Sequence, residues 1–158
     1  MPEASPEKSA AELLVVGVTS PLMAGVYIDG RLEEVFESAE KTSKALPPLL
    51  HDVRYRYDVK GLYYAKGPGS FMAIKVTYVM LKTFSIALGI PLYAADAFAF
   101  NQNRPLKAVG RSCFVKRGEA IVVETGCDAP APGFRLPKRL DEICFTDENE
   151  PLYILPAV

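Results

Sequence analysis

Two glycines one residue apart, in the string Gly67-Pro68-Gly69-Ser70-Phe71, separate a short apolar run, Leu62 to Ala65, from a longer apolar stretch, Phe71 to Leu88. The short run reads as a strand, and the long one has the length of a helix. Ser70 is placed to cap that helix, Gly89 to end it in a left-handed turn, and Pro91 to stop it from running into a strand over Leu92 to Ala95. Strand, helix and strand joined by such short links form a right-handed crossover between parallel strands. A junction of this kind is also where phosphate groups bind, because the N–H groups and dipole of a helix start attract anions. This loop lacks the rest of such a site. There is no GxxxxGK[ST] string, and Met72 stands at the third glycine of a GxGxxG pattern. The glycines are therefore read as a tight turn.

Reading outward from the junction, Glu12 to Val18, Ala24 to Asp29 and Leu32 to Glu37 are expected as three antiparallel strands, the last two joined at Asp29-Gly30. From Thr42 the period changes. Leu46, Leu49, Leu50, Val53 and Tyr57 fall at i, i+3, i+4, i+7 and i+11, one face of a helix, with Pro47 and Pro48 expected in its first turn. Lys60 to Lys66 is the strand before the junction, and Asp96 is placed to cap a short helix through Phe100. The expected order is thus βββαβαβα. Beyond it, Lys107 to Lys116 and Glu119 to Thr125 read as strands joined at Arg117-Gly118, and Leu152 to Leu155 as a last strand. The division expected is a disordered tail over 1–11, a first lobe over 12–105 and a reduced second lobe over 106–158.

Composition excludes several functions. The 158 residues are 49% hydrophobic with a formal net charge of −1, enough apolar content for a core and too little basic charge to hold nucleic acid unaided. Cys113, Cys127 and Cys144 are odd in number and contain no CxxC, which favours neither a disulfide framework nor zinc and suggests a reducing cytoplasm. The polar N-terminus lacks the pattern of a signal peptide. Lys75 and Lys82 lie within the one stretch that could span a bilayer, each costing roughly 3 kcal/mol at its centre, so that stretch reads as a helix of a soluble protein. His51 is the only histidine, which excludes multi-histidine metal sites and leaves no Ser-His triad beside a GxSxG elbow. Glu33-Glu34, Asp141-Glu142 and the run Asp147 to Glu150 read as solvated acidic surface, the last open to a basic partner. No catalytic residue, cofactor or metal is assigned.

The long helix is apolar over more of its surface than one sheet can cover. Lys75, Tyr78, Lys82 and Ser85 form a narrow polar stripe, and Ala73, Ile74, Leu81, Phe84 and Leu88 are assigned to the sheet. That leaves a flank of Met72, Val76, Val79, Thr83 and Ile86 to meet either another chain or the C-terminal segment of this one.

Lys66-Gly-Pro-Gly-Ser-Phe71 before an apolar helix, followed by Ala87-Leu-Gly-Ile-Pro-Leu92, resembles the TsaB (YeaZ) family. That family is the small subunit of the bacterial machinery that makes threonylcarbamoyladenosine in tRNA. The resemblance covers residues 13 to 100 and includes Val18-Thr19-Ser20, where the family has Asp-Thr-Ser, and Leu46-Pro47; Arg117-Gly118-Glu119 is a weaker echo of a later hairpin. It implies an α/β, actin-like and Hsp70-like (ASKHA) fold with a ribonuclease-H-like first lobe and a non-catalytic, cytoplasmic role. The implied partners are the catalytic subunit TsaD, met through the first-lobe helices, and the ATPase TsaE, with tRNA reached only through the complex. Separately, the apolar flank of the long helix can join two copies of the chain in a homodimer when the partner is missing, as a self-associating module with no tRNA role. The corresponding interface is Leu46, Leu49, Leu50, Val53, Met72, Lys75, Val76, Val79, Lys82, Thr83 and Ile86, the two lysines facing acidic residues of the partner. The alternative is a minimal ASKHA nucleotide hydrolase or a glycoprotease-like enzyme. Two departures weigh against it. Val18 replaces the Asp, and Met72-Ala-Ile-Lys75 replaces Thr-Gly-Leu-Arg, so Val18 offers no carboxylate to a Mg²⁺-nucleotide. The residues after Lys107 are also too few for a second full lobe, so the cleft between lobes is expected to be rudimentary or absent.

Overall fold

The hairpin expected at Asp29-Gly30 forms with both residues at positive φ, 51° and 76°, the turn whose twist matches that of paired strands. It joins β2 (Leu22–Ile28) to β3 (Arg31–Ser38), and β2 pairs antiparallel with β1 (Ala10–Val16). A computed structural model describes residues 7–108, 110–127 and 131–154. The expected tail lies outside the described residues over 1–6, whereas Ala10 and Ala11 belong to β1 and pair with Asp58 and Val59. Residues 10 and 11, placed in the tail by their polar surroundings, are therefore part of the sheet.

Helix α1 (Thr42–Arg56) leads to β4 (Asp58–Ala65), helix α2 (Phe71–Leu88) and β5 (Leu92–Ala95). Strands β1, β4 and β5 run parallel, and the sheet order is β3-β2-β1-β4-β5. This is the ribonuclease-H-like arrangement expected of the first lobe. Gly89 closes α2 in the left-handed region at φ 66°, its N–H and that of Ile90 taking up the carbonyls of Ile86 and Ser85. Pro47 and Pro48 lie past the first turn of α1, contrary to the expectation. The carbonyls they leave without intrahelical donors belong to Ser43 and Lys44, both exposed, where water can satisfy them.

Alternation along the strands gives the sheet two apolar faces. Leu13, Val15, Ala24, Val26, Leu62 and Tyr64 meet Leu46, Leu50 and Val53 of α1 and Leu81 of α2 on one face. Leu14, Val16, Tyr27 and Ala65 point the other way, toward Phe98, Phe100, Phe114 and Leu140. That second face is covered by a second sheet and a returning segment. The second sheet has the order β6-β7-β8: β6 (Leu106–Lys107), β7 (Ser112–Arg117) and β8 (Ala120–Thr125). The strand expected over 107–116 is therefore a small hairpin, turned at Gly110 with φ 65°.

Residues 131–154 return across the first sheet and fasten to it at several points. Leu32 N–H donates to Lys138 O and Leu140 N–H to Gly30 O, while Ala94 and Thr146 exchange both backbone bonds. The Tyr27 hydroxyl donates to Pro137 O at 2.6 Å, and burial raises its pKa. In the acidic run the carboxylates remain exposed, but the backbone and Asn149 work as a latch. Asn149 Nδ2 donates to Leu92 O, Asn149 O accepts from the Tyr64 hydroxyl, and Glu148 O accepts from Lys66 Nζ. Residues 152–154 form no strand, although Leu152 N–H donates to Lys66 O; residue 155 lies outside the described residues.

Candidate functional site: the glycine turn and the open helix face

The turn Gly67, Pro68, Gly69, Ser70 and Phe71 is held against the end of β1 by close backbone approach. Gly67 has φ 119°, and a Cβ there would lie 2.8 Å from Leu152 O; a Cβ on Gly69 would lie 2.5 Å from Val18 O. Both positions require glycine. The turn also spends one of its donors within the fold. Ser70 N–H is spent on Val18 O at 2.7 Å and Pro68 has no N–H, while Gly67 O accepts from Ala97 N–H. Ser70 occupies the N-cap position of α2 without a side-chain capping bond. Likewise, Asp96 precedes the short 3₁₀ turn Ala97–Phe100 without capping it, its carboxylate taken by Lys116 Nζ at 2.6 Å.

Three clefts, of about 650, 380 and 290 Å³, meet at Thr19 and Ser70. The largest runs between the starts of α1 and α2 and is bordered by Glu40, Lys41 and Met72. The other two lie between the turn and the second sheet, where Lys107 is the charged lining residue. A cleft is therefore present beside the second sheet, small but formed, where the short C-terminal part had suggested little or none. Its donors do not suit a Mg²⁺-nucleotide, the group that an ASKHA fold would imply. No carboxylate lines the two clefts beside the second sheet, Val18 stands two residues past β1, and the described residues contain no group of three or more His, Cys, Asp or Glu able to hold a metal.

The residues expected at a partner interface fall into two classes. Leu46, Leu50 and Val53 are buried in the core under α1, and Leu49 packs half-buried beside them, so this face of α1 is turned to the sheet and offers no surface to another chain. On α2 the outcome is different. Met72 is 61% exposed, Val79 51% and Ile86 72%, with exposed Thr83 on the same line and Val76 half-buried beside it. Only Ile74, Thr77 and Leu81 of the eighteen residues of α2 are buried. By length and composition α2 is the one helix among the described residues apolar enough to cross a membrane. Among the described residues, the C-terminal segment reaches α2 at its start, where the tilted rings of Tyr153 and Phe71 pack with centroids 4.7 Å apart; its main path covers the opposite face of the sheet.

The expected polar stripe of α2 also divides. Lys75 is exposed, but Tyr78 packs half-buried beside Tyr64, and the Ser85 hydroxyl donates to Ile90 O. Sequence reasoning missed Thr77, buried with its hydroxyl bonded to Ala73 O at 2.8 Å, where it lies beneath Gly17. A hydroxyl at that apolar register was the available signal. His51 is exposed on α1. Glu34, expected as simple solvated surface, is bonded to Arg56 at 2.8 Å and to the Tyr57 hydroxyl at 2.8 Å, joining β3 to the end of α1.

Cys113 and Cys127 are paired in a disulfide, contrary to the reading of three unpaired thiols, and Cys144 is free and exposed. The pairing arises because β7 and β8 fold back on each other, which residue spacing alone does not disclose.

No protein-family model matches the sequence, and no curated protein matches it. Solved structures do. YeaZ from Pseudomonas aeruginosa superposes with a TM-score of 0.57 at 15% identity over 73% of this chain and 64% of that one. An uncharacterized protein with similarity to peptidase YeaZ from Pseudomonas aeruginosa gives a TM-score of 0.58 at 14% identity over 73% of this chain and 67% of the other. This chain thus spans about two thirds of the length of each. These likenesses show the fold alone: the mixed α/β arrangement of this chain is the ASKHA-like fold of YeaZ.

Proposed function

We propose that this chain is a TsaB (YeaZ)-like subunit of a tRNA threonylcarbamoyladenosine-forming complex and acts there as a non-catalytic adapter in the cytoplasm. The observation that carries this reading is the exposed line Met72, Val79, Thr83 and Ile86 on a helix of a YeaZ fold. An apolar line of this kind on a soluble protein is suited to burial against another chain. In this reading α2 packs on a TsaD-like catalytic subunit, with Lys75 and Lys82 at the border facing its acidic residues. The composite surface then receives a TsaE-like ATPase, and tRNA is met through the complex. Without its partner, the same line can join two copies of the chain about a two-fold axis. The turn supports the adapter reading over the enzyme reading, since its Ser70 N–H is bonded within the fold and no carboxylate stands at Val18.

Co-expression with the TsaD-like subunit of the same organism tests the proposal. The expected result is co-purification of the two chains, together with no heat of binding when Mg²⁺-ATP is titrated into this chain alone. Failure to co-purify would remove the adapter role, and tight Mg²⁺-ATP binding by the isolated chain would favour the nucleotide hydrolase instead.

A further inference from the structure

We infer that Cys113 and Cys127 are a reversible redox staple for the cleft beside the glycine turn. Cys113 is fully buried in β7, and Cys127 follows 14 residues later, half-buried just beyond β8. Their Cα atoms are 6.1 Å apart, within the roughly 4.4–6.8 Å that a disulfide spans. Cys127 N–H donates to Arg111 O at 3.1 Å, which brings its backbone to the start of β7.

The pair lies where two parts of the second sheet meet the first lobe. On one side, β7 sends Phe114 into the cluster beneath the turn and Lys116 onto Asp96. On the other, the chain beyond Cys127 supplies Ala131, Pro132 and Phe134, which wall the 290 Å³ cleft opposite Val18 and Gly69. That wall is tied down further along, where Arg135 N–H donates to Phe100 O at 2.8 Å. The disulfide therefore fixes the origin of the cleft wall to the strand that anchors the second sheet. The helical face of the first sheet lies on its far side.

Closure requires a low-molecular-weight disulfide as oxidant. One protein thiolate attacks it and displaces the first thiol, and the second thiolate attacks the resulting mixed disulfide and displaces the other. Two electrons pass to the oxidant, and the two protein protons end on the two released thiols. Excess thiol reverses the sequence, entering at Cys127 because Cys113 is buried. In a reducing compartment the pair rests open and closes when the disulfide pool rises. The inference does not depend on the proposed partner.

The test uses the full chain carrying Cys144→Ser, equilibrated with reduced or oxidised glutathione. Thiols are counted by alkylation and mass spectrometry, and backbone hydrogen exchange is followed in both states. We expect two free thiols in the reduced sample and none in the oxidised one. Reduction should speed exchange over residues 120–127 and 131–137 by about thirtyfold, the lower end of the usual effect of a disulfide, while α1 and α2 remain unchanged. Cys127→Ser, which leaves the buried Cys113 in place, should exchange like the reduced chain in both buffers. Two free thiols persisting in oxidised glutathione would overturn the inference. So would equal exchange in the two states, or a change spread evenly through the first sheet and its helices.

Discussion

At Gly69 the Val18 carbonyl stands where a side chain would begin, whereas at Gly30, also glycine in a turn, nothing lies within 4 Å of the added carbon. The two positions therefore separate close approach from backbone conformation. Gly69→Ala should lower the unfolding free energy by about 2–4 kcal/mol, and Gly30→Ala, strained only by its φ of 76°, by about 1–2 kcal/mol. Urea melts of the two variants check the difference. Glu34 gives a prediction in pH. Its bond from Arg56 holds the carboxyl below the usual carboxylate range, with partial burial opposing and the Tyr57 hydroxyl assisting. Because the folded pKa is the lower one, the stabilisation is fully present above the unfolded value of about 4.3 and is lost as pH falls through the folded value. Urea midpoints measured on acidification should fall more steeply for the native chain than for Glu34→Gln.

At the scale of elements, α2 divides its residues between sheet and solvent along lines that its composition hides. Leu81 is 0% exposed and Ile86 72%, although both are aliphatic residues of one helix. Leu81→Ala should cost about 2–5 kcal/mol through the cavity it leaves. Val79→Asp and Ile86→Asp should each stay within about 0.5 kcal/mol of the native stability, as surface changes do. Thermal or urea unfolding of the three variants tests this assignment. The glycine turn, α2 and its stop at Gly89 were legible in the sequence because each rests on local chemistry: a break in period, a conformation suited to glycine, a proline that cannot continue a helix. The apolar face of α1 was legible as a face but not by its neighbour. Periodicity places Leu46, Leu50 and Val53 together and cannot tell a sheet from another chain, which is why they were assigned to an interface and are found in the core.

At the scale of the whole molecule, the parts least visible beforehand are those made by distant pairings. Asn149 reaches Leu92, Tyr27 reaches Pro137, and Cys113 reaches Cys127. Each joins a strand residue to one outside any strand, Asn149, Pro137 or Cys127, so residue pattern carried no signal for the pairing. One such link, Lys116 to Asp96, joins the second sheet to the first lobe with both side chains largely out of water, at 25% and 17% exposure. Lys116→Met should cost about 1–3 kcal/mol, since it leaves a poorly solvated carboxylate without its partner, and adding Asp96→Asn should recover part of that loss. A double-mutant cycle measures the coupling. The returning segment also explains why the line on α2 stays open: residues 131–154 cover the sheet face opposite the helices.

The most direct measurement is the affinity of this chain for the TsaD-like subunit, compared with that of a chain carrying both Val79→Asp and Ile86→Asp. The account predicts that the double variant unfolds at the native urea midpoint yet binds at least about thirtyfold more weakly, the loss expected when central apolar contacts of an interface are removed. A folded double variant that binds with unchanged affinity would contradict it.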